Sequence, residues 1–114
     1  MQRDDGVFLR HMVDTAGKVV AKVQSKVRAD LDLDEDFRDA LAHRVQIIGE
    51  AASRLSAEFR DAHPEVPWHR AIGMRHRIVH DYMNTDNDIL WEVATRSLPE
   101  LIALLAPLIP EEEP

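Results

Sequence analysis

The chain has no cysteine in its 114 residues, which excludes a disulfide framework, a thiolate nucleophile and a zinc ribbon. It has no basic excess either. Fourteen Lys and Arg stand against 21 Asp and Glu, a net charge of −7, so the sequence-blind grip on nucleic acid that phosphate neutralisation gives a basic domain is not expected. The longest apolar run, 98–109, is interrupted by Pro99, Glu100 and Pro107 and falls well short of the ~20 residues of a membrane span. The opening "MQRDDGVFLRHMVDTAGKVV" places acids and an arginine where a signal peptide needs an unbroken apolar core, so a cytoplasmic protein is expected. No segment shows the strict alternation or β-branched runs of a strand, and there is no internal repeat.

What is present is helical periodicity, in a chain long enough for one domain and with 45% apolar residues. Between residue 5 and about residue 27, Leu9, Met12, Val13, Ala16, Val20, Val23 and Val27 recur at three- and four-residue steps. The acidic connection "RADLDLDED" follows, where Asp34 or Asp36 can cap a long second helix bearing Phe37, Leu41, Val45, Ile48, Ala52, Leu55 and Phe59. "HPEVP" breaks that helix, and Trp68 begins a third reaching about residue 82. "MNTDND" is a turn from which Thr85 or Asp86 caps a fourth, whose Pro99 should kink or split it. The expectation is an all-α, up-and-down bundle of four to five helices over residues 1–110, with 111–114 as an acidic tail. Gly49 should permit close helix approach, and Trp68 and Trp91 should pack in the core.

Charge is uneven. Asp30, Asp32, Asp34, Glu35, Asp36 and Asp39 crowd one window, whereas Arg70, Arg75 and Arg77 cluster around "RHRIVHDY", residues 75–82, where any polyanion site would lie. On a wheel of about 100° per residue, Arg75 falls within about 60° of Trp68, together with Ala71, Ile72, Val79 and Tyr82. A guanidinium in that apolar stripe needs a carboxylate, a second subunit or a bound anion, unless it snorkels to water.

His69, His76 and His80 share the border of the stripe. His76 and His80 have the i,i+4 spacing of metal ligands, but Arg77 stands where a zincin has glutamate. A third reading takes Arg75 and His80 as an R-x4-H pair for metal-free RNA cleavage, with imidazole moving a proton and a forked guanidinium facing the phosphorane. On a regular helix the pair diverges by about 140°, so it converges only if the helix ends near His80 or a second copy contributes. Eleven arginines and six histidines give about 0.6 such pairs by chance. Indeed Arg38 and His43 form a second one.

Context separates the two. "RVQIIGEAASRLS" (44–56), "PEVPWHRAIGMRHRIVHDY" (64–82) and "NDILWEVATRSLPEL" (87–101) resemble successive blocks of the HepT-like proteins of the HEPN superfamily, toxin halves of HepT/MntA toxin–antitoxin modules. That branch extends the pair to R-x4-H-x-Y, met by Arg75, His80 and Tyr82 and failed by Arg38. The resemblance implies a metal-independent endoribonuclease acting on tRNA or mRNA with no cofactor, dimerising so that two motifs line one cleft. Arg75 would stabilise the transition-state phosphate and His80 act as general acid or base. His76 and Arg77 would position substrate. The implied partner is an MntA-like minimal nucleotidyltransferase antitoxin that transfers AMP onto Tyr82, which an unbroken helix would place on the face of Arg75 seven residues earlier. Glu50 is a candidate partner for Arg75. The competing reading is a non-catalytic helical module that binds a nucleotide or the transferase.

Overall fold

The computed structural model describes residues 3–79 and 85–110, which form an all-α bundle. Helix α1 spans Arg3–Val23 and buries Leu9, Met12, Ala16, Val19 and Val23 along one side. It stops four residues before the periodicity suggests, and Val27 is exposed. The Asp30 carboxylate accepts the Val27 N–H at 2.8 Å, turning the chain before that valine can join the stripe. The acidic connection holds a short helix that periodicity did not reveal, α2 (Asp30–Leu33), anchored by the buried Leu31.

Asp34 caps α3 (Glu35–Arg54) by accepting the Phe37 N–H at 3.1 Å, as its position before the apolar run predicts. The helix does not continue to Phe59. Leu55 and Ser56 are extended, and Ser56 caps a separate α4 (Ala57–Ala62) by accepting the Phe59 N–H. Asp5, buried on α1, accepts the Ser56 N–H at 2.7 Å and its hydroxyl at 2.8 Å. A side chain that takes backbone donors locally competes with helix continuation. The break leaves no trace in the pattern because Leu55 and Phe59 stay four apart and both are buried.

Trp68 is buried, and its indole N–H donates to the carbonyls of Arg60 and His63, at the end of α4. The single helix expected over 68–82 is two short ones, α5 (Trp68–Ile72) and α6 (Met74–Ile78), separated at Gly73. Val79 is extended and pairs with Thr85, and the Asp86 N–H donates to the Ile78 carbonyl, so the chain leaves helical geometry at residue 79. Asp86 then caps α7 (Asn87–Glu92), accepting the Ile89 N–H at 3.0 Å.

Pro99 neither splits nor ends the last helix. A π turn, Val93–Ser97, carries α7 into α8 (Leu98–Leu105), with the Leu98 N–H donating to the Val93 carbonyl five residues back. Proline has no N–H for Thr95 and its ring crowds that carbonyl, so one widened turn ahead of it relieves both defects. Leu98, Leu101 and Leu105 stay buried. Helix α1 packs on α3 and α8, and α3 also holds α5 and α6. At the far end, Arg10 donates to the Pro110 carbonyl at 2.7 Å. No helix among the described residues is long and apolar enough to cross a membrane.

An exposed network joins α2 to the start of α7. Arg28 bonds Asp32 at 2.9 Å and Asp88 at 2.7 Å, and the Asn87 amide donates to Asp32 at 2.9 Å. The Asn87 amide, then Arg28, hold the Asp32 carboxyl below the ordinary carboxylate range. A depressed folded-state pKa stabilises the fold above the unfolded value and stops doing so as pH falls through the folded one. Asp32→Ala should therefore lower Tm slightly at pH 7. The difference from wild type should close below about pH 4 and shrink in 1 M salt; a gap that persists at pH 2 would mean packing, not charge, sets it.

Candidate active site

The candidate site is built where α3 meets the α5–α6 corner. A Cβ on Gly49 would stand 3.2 Å from the Ala71 carbonyl oxygen and 3.1 Å from that of Ile72, so the absent side chain lets the two backbones touch, as expected of this glycine. Beside the contact runs an open groove of about 230 Å³. Gln46, Gly49, Glu50 and Ser53 of α3 form one wall, and Ile72, Arg75 and His76 the other.

Arg75 does not lie in an apolar stripe. The wheel assumed one helix from Trp68 onward, but Gly73 interrupts it, and α6 buries Met74 and Ile78 while Arg75 and His76 are exposed. The burial cost that called for a carboxylate, a second subunit or a bound anion at Arg75 does not arise. Its guanidinium has no acidic partner among the described residues. Glu50 shares the groove without bonding it, accepting instead from the Gln46 amide at 3.4 Å.

The second R-x4-H pair is different. Arg38 lies within α3, its guanidinium 3.4 Å from Asp39 and 3.9 Å from Glu35. His43 sits on the same regular helix, five residues on, where the two side chains diverge. Arg38 is neutralised by its neighbours; Arg75 has no such neighbour among the described residues.

His80 and Tyr82 lie outside the described residues. Their approach is described: α6 ends at Ile78, two residues before His80, which meets the condition under which the i,i+5 divergence ceases to apply. The same ending removes the argument that Arg75 and Tyr82 share a helical face. Arg77, expected beside His76, lies on the opposite flank of α6 in a cavity of about 70 Å³ against α8. His69 lies elsewhere again, in a cavity formed with α4. His69 and His76 therefore do not share one border, and no metal-binding cluster of His, Cys, Asp or Glu occurs among the described residues.

Sequence reasoning missed Gln46 and Ser53. Their signal was present: positions 46, 49, 50 and 53 recur at helical spacing on the side of α3 away from Phe37, Leu41 and Val45.

A family model described as "Ribonuclease HepT-like" matches residues 12–108. A protein of Caldanaerobacter subterraneus subsp. tengcongensis, provisionally named an RNase, is 29% identical over 106 residues, covering 93% of this chain and 95% of its own. Another provisionally named RNase, from Methanocaldococcus jannaschii, is 29% identical over 105 residues, 88% of this chain and 92% of the relative. A probable ribonuclease HepT of Thermococcus cleftensis is 32% identical over 72 residues, covering 63% and 66%. No solved structure matches the chain.

Proposed function

The chain belongs to the HepT-like ribonuclease family, and on that footing we propose that it is a metal-independent endoribonuclease whose chemistry takes place at the α3–α6 groove. One observation carries this choice of site. Arg75 is exposed on the groove wall beside His76, without an acidic partner among the described residues, on a helix that stops two residues before His80. The arrangement suits attack of the 2′-hydroxyl on the adjacent phosphorus. His80 takes the hydroxyl proton or delivers one to the departing 5′-oxygen, leaving a 2′,3′-cyclic phosphate and a free 5′-hydroxyl. Arg75 faces the two equatorial oxygens on which charge builds, where two parallel N–H bonds strengthen as the phosphorane forms. His76 supplies a further donor in the same groove and orients the substrate.

The groove is open along one side, and a second copy facing it across a two-fold axis would supply the missing wall and a second motif. Residues 1–110 are taken as the single domain that does this, with 111–114 as a tail. The module also includes an MntA-like nucleotidyltransferase antitoxin that adds AMP to Tyr82. The added phosphate brings negative charge and bulk to the segment that follows Arg75, competing with RNA for the guanidinium.

Incubation of the purified protein with total RNA in EDTA should yield fragments ending in cyclic phosphate. Binding without turnover would favour the non-catalytic module instead. After incubation with the transferase and ATP, intact mass should rise by whole AMP units in wild type and not in Tyr82→Phe, with cleavage lost in step. An unchanged mass rise in Tyr82→Phe would move the modification elsewhere.

A further inference from the structure

On the side of α5–α6 away from the groove, two cavities adjoin. One, of about 640 Å³, lies between α4 and α5 and is lined by Arg60, Asp61, Trp68, His69 and Arg70. The other is the small cavity of Arg77 against α8, where Glu100 is also found. Pro67 and Arg70 line both, so together they form one trough across the start of α5.

The trough holds three guanidinium groups in an acidic protein, and the fold leaves two of them with unused donors. Arg60 Nε and Arg77 Nη1 are buried atoms with no hydrogen-bond acceptor among the described residues. Three arginines elsewhere do have acceptors: Arg10 has the Pro110 carbonyl, Arg28 has Asp32 and Asp88, and Arg38 has Asp39. Here Asp61 and Glu100 stand in the walls, yet among the described residues no ion pair forms with Arg60, Arg70 or Arg77. The Trp68 indole N–H donates to the Arg60 carbonyl at 3.1 Å, which ties the base of that side chain to α5. Buried donors without acceptors are costly to keep, and a ligand rich in oxyanions satisfies them. The larger cavity is broad, so a single acid would occupy little of it, whereas a chain of phosphates meets successive cations along its length.

We infer that this trough carries phosphodiester groups of the RNA beyond the scissile bond, with Arg60 and Arg70 as its phosphate contacts. The inference rests on the ribonuclease reading above. Single-stranded RNA would pass from the motif groove around the α5–α6 corner, and the two sides of that corner would share one substrate.

The test is the salt dependence of single-stranded RNA binding, measured in a His80→Ala background so that RNA survives. Each phosphate contact removed should reduce the magnitude of the log K against log salt slope by about 0.7. Arg70→Ala and Arg60→Gln should each show that loss and the double variant about twice it. Arg70→Lys should keep most of the slope, and so should Lys18→Ala on α1, which lines neither cavity and removes the same charge. Unchanged slopes in both trough variants overturn the inference while leaving the ribonuclease reading intact. So does an unchanged RNA slope combined with lost binding of the transferase partner, which would make the trough a protein dock. If wild-type protein neither cleaves nor binds RNA, the ribonuclease reading fails and the inference with it.

Discussion

Arg75→Ala should slow RNA cleavage in EDTA by about 10²–10³-fold and His80→Ala by about 10²–10⁴-fold, with both variants melting close to wild type. The two halves of that result depend on different observations. Arg75 is exposed and unpaired among the described residues, so its removal opens no cavity and strands no buried charge. The loss of rate then has to come from the transition state. A guanidinium that waits in water for a phosphate contributes little to the ground state of the free protein, and its largest interaction forms only as charge accumulates on the phosphorane oxygens. Arg75→Lys should recover a part of the rate, since an ammonium keeps the charge but not the fork. The double variant should be little slower than the worse single one, because residues acting in one step are not additive. Arg38→Ala and His43→Ala give the matched control. They carry the same spacing on a regular helix with the arginine already neutralised, and both should retain wild-type cleavage. Full activity in Arg75→Ala and His80→Ala would sink the assignment of the site.

That control also shows which parts of the site were legible beforehand. Spacing could not separate Arg75 from Arg38, and the local fold does, through one glycine. Helical phase advances by about 100° per residue, so a wheel drawn through a break misplaces everything beyond it. Gly73 is such a break: the wheel put Arg75 on the apolar side, whereas α6 turns it to the groove. The stripes on α1, α3 and α8, the caps at Asp34 and Asp86 and the packing of Trp68 were legible because each is a local pattern with its own chemistry. The break at Ser56 was not, since its cause is Asp5, a carboxylate 51 residues away. Nor was the π turn, which answers to Pro99 only once the chain is committed to continuing as a helix.

Gly49→Val should lower stability by about 2–3 kcal/mol, which in a chain of this size is a fall in Tm of roughly 10 °C, and should reduce cleavage even well below the melting temperature. Alanine at this position sets two effects of similar size against each other. Replacing a mid-helix glycine gains about 1 kcal/mol of helix propensity, while a Cβ 3.1 Å from the Ile72 carbonyl oxygen meets backbone, which cannot rotate aside. Overpacking costs about 1–3 kcal/mol, so Gly49→Ala should be neutral or mildly destabilising. Valine forfeits most of the propensity gain and adds two methyl groups at the point of contact, so the clash decides the sign. Gly17 calibrates the comparison, for it too lies within a long helix, yet a Cβ there would meet nothing within 4 Å. Gly17→Ala should accordingly raise stability by about 0.5–1 kcal/mol. The effect of Gly49→Val on activity follows from what the displaced backbone carries: Ile72 ends α5, and three residues later Arg75 forms the groove wall. A shift of about 1 Å in a positioning element is enough to cost on the order of 10²-fold in rate. If Gly49→Val melts and cleaves like wild type, then α3 and α5 do not touch where this glycine lies, and the groove between them is not the site.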